Sequence, residues 1–346
     1  MIYVISPPDF IGRNEKYIAK SLYDNITEEK TFIEGHYKDR FGNYVTPPVA
    51  VEHGSFYDDR QWITYLLSLN SILTHKIQNG LITSEDTLVF CDFWHLGLDQ
   101  VKYALETEGV KPTLVGWVHG ASWVEGDMIN WPWAVQQELA WLEIYDKIWC
   151  ASLFFSKGLP EKYKHKVVHT GEPFEPSTIT QPVIPMEARK YDVVFPHRLD
   201  RDKGVDDFLY LVKMTPELSY LITLANEPDP EVKAMFDLPN VTFSIGKSDE
   251  DHWADLANCK SVLSTAIQEG WGYAVLKALA VGCIPVLPNR AVYPELYSKS
   301  YLYNSIEDAV NMLRIQIHPP KPIKVLIGGK IVDGIPSIRW ELKNGN

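Results

Sequence analysis

Cysteine is scarce and scattered in this sequence. Cys91, Cys150, Cys259 and Cys283 stand far apart, each within an apolar run, with no CxxC pair and no Cys/His cluster. That spacing argues against a disulfide framework or a zinc site and reads as reduced, buried thiols. Long apolar runs are missing too: none approaches the ~18–20 residues a membrane span requires. The opening MIYVISPPDF has no basic stretch ahead of an apolar core and no cleavage site, so the expectation is a soluble, cytoplasmic protein without a membrane partner. Positive charge is in deficit, with 33 Lys and Arg against 45 Asp and Glu and a net charge of -12. Broad electrostatic binding to nucleic acid or an anionic membrane is disfavoured, although a local basic groove stays compatible. Several catalytic signatures are also absent: G-x-S-x-G, the P-loop G-x4-G-K-[ST] and H-E-x-x-H. No G-x-G-x-x-G follows the first apolar run, which excludes a dinucleotide site there.

What is present suits two domains, since 346 residues exceed the ~250–300 at which single cores stop growing. Apolar runs alternate with amphipathic stretches, the pattern of α/β layers over parallel sheets. In the first half the runs at 1–6, 87–95, 113–120, 147–152 and 166–171 read as strands, with helices clearest over 58–78 and 132–145. Pro132 suits the first position of its helix. Residues 172–190 are rich in Pro, Ser and Thr without helical period and read as a linker. A second alternation follows, with strands over 191–197, 219–225, 241–246, 260–266 and 283–288. The expected organisation is a first domain over 1–185, a second over 186–318 and a tail over 319–346, hairpin-like about Gly328 and Gly329. Two such halves predict a ligand cleft at the carboxyl ends of the strands.

Two segments of the second half carry the chemistry. In VVFPHRLDRDKGVDDF, Arg198 and Lys203 flank a strand-to-helix turn, where two cations at a positive helix end favour a diphosphate. A solvated helix start, with Arg, Asp and Lys pairing among themselves, accounts for the same residues. In STAIQEGWGYAVLKALAVGCIPVLPNRAVYPE, a strand runs into Glu269 and then Gly270, Trp271 and Gly272 before a new helix. Glycines there admit close approach of backbone N–H groups to a ligand, and a carboxylate at the lip accepts from sugar hydroxyls. A capping glutamate before an amphipathic helix is the alternative.

These segments resemble the carboxyl-terminal domain of retaining GT-B glycosyltransferases of the large family-4-like group, with its Arg-x4-Lys and its Glu-x7-Glu stretch around a Gly-aromatic-Gly loop. HRLDRDKG matches the first and EGWGYAVLK most of the second, and PNRAVYPE is similar to the matching part of tRNA-queuosine mannosyltransferases. In the first half, GRNEKYIAKSL sits where that group has a glycine-rich turn, placing Gly12 beside the donor, and WVHGASW resembles a strand ending in the active-site histidine. The resemblance is specific over 191–297 and looser over 113–171. It implies two Rossmann-like domains facing across a cleft. It also implies that Arg198 and Lys203 hold the donor phosphates and that Glu269 contacts the transferred sugar. Gly270 and the amides of Trp271, Gly272 and Tyr273 would support sugar or phosphate, and His119 would stand near the reacting carbon. Members of the group need no metal, so neither metal nor cofactor is expected. The co-substrate would be a UDP or GDP sugar, and catalysis would rest on stabilising the departing diphosphate.

One position departs from the pattern: the group's second Glu, which binds the donor ribose, falls on Lys277. A lysine only donates, so the nucleotide is held differently or the site is impaired. On the acceptor side, Trp117, Trp141 and Trp149 fit core positions, whereas Trp123 and Trp131 flank a polar loop carrying Asp127 and are the acceptor candidates. KGLPEKYKHK at 157–166 is the clearest basic segment. Open at this point are an acceptor hydroxyl on a nucleobase of DNA or RNA, a glycan or small glycoside acceptor, a nucleotide-sugar epimerase, and a catalytically silent nucleotide-sugar or nucleic-acid binding protein.

Overall fold

The structure is a computed structural model and describes residues 1–7, 15–35, 60–125, 127, 131–172, 184–315, 324–327 and 330–333. Short runs such as IYVI, TLVF and TLVGWV are buried almost throughout, as strands covered on both faces must be. The first sheet comprises β1 (Ile2–Ile5), β2 (Lys30–Ile33), β3 (Thr87–Phe90), β4 (Thr113–Val118), β5 (Lys147–Cys150) and β6 (Val167–His169), in the order 2-1-3-4-5-6. The second comprises β7 (Tyr191–Phe195), β8 (Tyr220–Leu224), β9 (Val241–Ile245), β10 (Cys259–Leu263), β11 (Ile284–Pro288) and β12 (Leu302–Tyr303), in the order 12-11-10-7-8-9. Every pairing within both sheets is parallel. The α/β class and the two Rossmann-like halves expected from the alternation are therefore present.

Helices fill the crossovers. In the first lobe they are α1 (Glu15–Asn25), α2 (Arg60–Gln78), α3 (Leu98–Thr107), α4 (Pro132–Ile144) and α5 (Leu153–Lys157). In the second they are α6 (Val205–Met214), α7 (Pro230–Met235), α8 (Asp249–Ala257), α9 (Tyr273–Ala280), α10 (Tyr293–Leu296) and α11 (Ile306–Ile315). Pro132 opens α4 at the position its missing N–H suits. The strands end earlier than the sequence runs suggested, because apolar character continues into loops that are themselves buried, as at Cys91, Phe93 and Ala266. Two strands escaped the sequence reading. Both β2 and β12 are short and lie at a sheet edge, too brief for a pattern to stand out. The tail supplies β13 (Lys324–Ile327) paired antiparallel to β14 (Lys330–Asp333), while its glycine turn lies outside the described residues.

The lobes share a core. The largest cluster runs from Phe90, Phe93 and Trp141 through Phe155 to Trp271 and Tyr293. At the contact, Ser152 Oγ donates to the Gly270 carbonyl at 3.0 Å. Glu295 accepts from the Leu153 and Phe154 amides at 2.9 and 3.3 Å, placing a carboxylate on the positive end of α5. A second core, on the far face of the second sheet, stacks Phe195 on Phe208 at 3.8 Å. A third lies under α1 and contains Val4, Val89, Trp117 and Trp149.

Candidate active site

In the second sheet the chain runs outward from β7 to β9 and then returns to the other side of β7 as β10. A reversal of this kind opens a crevice between the carboxyl ends of the two central strands, where doubly wound sheets hold ligands. The loop after β7 carries His197, Arg198 and Lys203, and the loop after β10 carries Ser264 to Gly272, so topology alone sets the two segments side by side. They are joined closely. The amides of Ile267 and Gln268 donate to the Asp202 carbonyl at 2.8 and 3.1 Å. Thr265 Oγ1 donates to the carbonyls of Lys203 and Gly204 at 2.7 and 3.0 Å. Gly204 has φ +66°, and a Cβ there would come within 2.2 Å of the Thr265 carbonyl oxygen, so the close approach requires glycine.

Lys203 Nζ reaches the Gln268 carbonyl at 3.0 Å, Glu269 Oε2 at 3.3 Å and Asp202 Oδ2 at 3.2 Å. Glu269 accepts from the Gly272 amide through its other oxygen at 3.1 Å, and His197 Nδ1 stands 4.0 Å from Oε2. Arg198 holds the Asp200 carboxylate, lies 3.6 Å from Asp202 and remains 50% exposed. Arg198, Lys203 and Glu269 thus belong to one constellation, linked through Asp202. Burial acts to raise the Glu269 pKa, yet Lys203, His197 and the Gly272 amide together hold it below the usual carboxylate value. Burial acts to lower Lys203, and the Glu269 and Asp202 carboxylates overcome it, so the ammonium persists above its ordinary range. His197 is pushed down to about 4, by burial first and by the neighbouring Lys203 and Arg198 cations, against the pull of Glu269 and Asp202.

The glycine loop has a different rationale from the one its sequence suggested. A Cβ at Gly270 would sit 2.0 Å from Phe155 Cζ, so this glycine admits a ring from the first lobe. Gly272 has φ +86° and opens α9. Its amide is engaged by Glu269, and the Trp271 indole is buried in the shared core with no hydrogen-bond partner for Nε1 among the described residues. Tyr273 is half-buried and reaches across to the first-lobe cluster that contains Trp117 and Trp149.

No family model matches the chain. A tRNA-queuosine alpha-mannosyltransferase of Drosophila melanogaster is 32% identical over 123 residues, 33% of this chain and 32% of that protein, so the similarity spans about a third of the relative's length. Among solved structures, the lipopolysaccharide outer core galactosyltransferase WaaB in its apo form superposes with a TM-score of 0.60 at 14% identity, covering 91% of this chain and 90% of that one. Anabaena HepE in complex with UDP and glucose gives a TM-score of 0.61 at 11% identity, covering 92% and 90%. The fold is GT-B.

Within this GT-B frame the first lobe contributes His119, one residue beyond β4. Its Nε2 lies 2.8 Å from the Cys91 carbonyl and its Nδ1 3.1 Å from Glu172 Oε1. Near the reversal of this lobe between β1 and β3, a small cavity of about 10 Å³ is lined by Ser6, Cys91, Asp92, Trp94 and His95. Gly12 lies outside the described residues. Lys277 is half-buried, with Nζ 5.8 Å from the Trp253 ring and no hydrogen bond among the described residues. Burial lowers its pKa against the opposing influence of Asp249.

The acceptor candidates separate. Trp123 is half-buried, donates from Nε1 to the Phe155 carbonyl at 3.0 Å and packs edge-on to Phe93, which makes it a packing residue rather than an open platform. Asp127 accepts from the Ala121 amide at 3.3 Å and steadies the loop behind His119. Trp131 is exposed and lies parallel to Trp133 at 5.9 Å. The basic segment is largely engaged: Lys162 pairs with Glu143, Lys164 with Glu161, and Lys166 donates to the Leu142 and Tyr145 carbonyls at the end of α4. Sequence reasoning missed Glu172, His197, Asp202 and Glu138. Glu138 is buried and binds Trp94 Nε1 and the Ser122 amide. His197 stood next to Arg198 and was open to notice. Glu172 and Glu138 gave no local signal, since each meets its partner only through the fold.

Proposed function

We propose that the chain is a GT-B glycosyltransferase that moves a hexose or pentose from a nucleotide-diphosphate sugar to a hydroxyl acceptor with retention of configuration. The observation that carries this reading is the joining of Arg198, Lys203 and Glu269 at the reversal of the second sheet. The half-exposed Arg198 is free to exchange the Asp200 carboxylate for a phosphate oxygen, a like-for-like swap of anions. Lys203 lies deeper and supplies a persistent charge beneath the diphosphate, with Glu269 beside it for a sugar hydroxyl. As the glycosidic bond breaks, these cations stabilise the charge gathering on the leaving diphosphate, and the acceptor enters from the same face. His119 stands on the first-lobe wall.

UDP is the favoured donor nucleotide because HepE binds UDP and glucose in the same fold. An acceptor hydroxyl on a modified nucleobase is favoured by the mannosyltransferase relative, whose name specifies tRNA-queuosine. A glycan or small glycoside is the second reading, favoured by the engagement of Lys162, Lys164 and Lys166, which leaves little free positive charge for a polyanion. The test is a thermal-shift screen against UDP-, GDP- and ADP-sugars, followed by transfer of labelled sugar to tRNA and to simple glycosides. Stabilisation by one donor with transfer to either acceptor supports the reading. Binding with neither transfer nor hydrolysis would indicate a silent binding protein, and donor conversion without acceptor an epimerase.

A further inference from the structure

Both ring nitrogens of His119 face oxygens. Nε2 lies 2.8 Å from the Cys91 carbonyl, an atom that only accepts, so this nitrogen carries a proton. Nδ1 lies 3.1 Å from Glu172 Oε1, and Glu172 is buried, with its side chain 4% exposed. Two arrangements satisfy the geometry: an imidazolium beside a carboxylate, or a neutral ring beside a protonated carboxyl group. The surroundings favour the first. Of the two groups that meet the ring, Glu172 after β6 is acidic and the Cys91 carbonyl turns the negative end of its dipole on it. A buried carboxylate is tolerated when a cation pairs with it, and negative surroundings favour the charged imidazole.

We propose that Glu172 holds His119 as an imidazolium, making the ring a fixed hydrogen-bond donor and positive group on the first-lobe wall of the cleft. Glu172 is thereby a positioning residue acting through His119. In this state His119 has no bare nitrogen and does not serve as a general base. The placement suits the charge. The Trp117 ring lies 5.5 Å from that of His119, and Tyr273 from the glycine loop packs on the cluster that contains Trp117. The use of this charge rests on the donor reading above, whereas its existence does not.

Nitrogen-15 spectra of histidine-labelled protein at pH 7.5 test the proposal, with His119 identified by its loss in His119→Gln. The expected wild-type signature is two protonated ring nitrogens, and in Glu172→Gln, of the same shape, one of them becomes bare. A bare nitrogen in the wild type overturns the proposal. Two protonated nitrogens persisting in Glu172→Gln remove Glu172 from it. Should that variant fail to fold, the wild-type spectrum decides the charge, and Glu172→Asp, which keeps the carboxylate, is expected to retain both protons. In transfer assays Glu172→Gln is expected to lower kcat about tenfold or more with little change in donor KM. Intact wild-type spectra together with no binding of any nucleotide sugar would refute the donor reading and leave the charged pair standing.

Discussion

Arg198 and Lys203 both carry positive charge, but their surroundings give them different sensitivities to mutation. Arg198 is half exposed, so Arg198→Ala is expected to leave thermal stability nearly unchanged. A charge-assisted bond of about 1.5–3 kcal/mol would be lost, weakening donor binding by about 10- to 150-fold in calorimetry. Lys203→Ala strands the Glu269 carboxylate in a buried setting, and a loss of about 3–5 kcal/mol in denaturant unfolding is expected in addition to lost binding. Glu269→Ala is expected to abolish most transfer while the protein still folds, and unchanged turnover would refute its role. At Lys277, substitution by Glu restores an acceptor for ribose hydroxyls, so donor affinity or nucleotide preference should change. Equal binding by both forms would count against a place at the ribose. These residues were legible because cations five apart after a strand, and a carboxylate before Gly-x-Gly, form local patterns. Glu172 was not, for its partner lies 53 residues away and only the packing of β4 beside β5 and β6 unites them.

At the scale of elements, the strand runs and the helix beginning at Pro132 were readable because buried parallel strands are continuously apolar and proline fits a first helical turn. Strand ends were not, since the loops beyond them are equally apolar where they pack into the cleft. The glycine loop shows a sharper limit. Gly270 looked like a concession to a ligand, yet the atom nearest an added Cβ belongs to Phe155. Gly270→Ala is therefore expected to destabilise the protein by about 1–3 kcal/mol, and Phe155→Leu to relieve part of that loss. Additive effects of the two substitutions in thermal unfolding would show that the contact does not govern the site.

For the whole molecule, two buried histidines contribute to sensitivity to acid. Burial pushes His95 down to about 3, and His197 lies at about 4, against an ordinary 6.5. Both remain neutral in the folded protein, while the unfolded chain takes up protons below about pH 6.5. The unfolded state then binds more protons, so stability is present above that pH and declines as the pH falls toward 4. Urea midpoints measured between pH 7 and 4 should drop accordingly, and His95→Gln should flatten the decline.

The seam between the lobes has a mechanical corollary. A ring seated against a residue with no side chain, a hydroxyl bonded to that same residue's carbonyl, and a carboxylate astride the start of α5 all engage the first lobe within Ser152 to Phe155. This one stretch therefore carries the alignment of both lobes at these contacts, and a substitution within it is felt on each side.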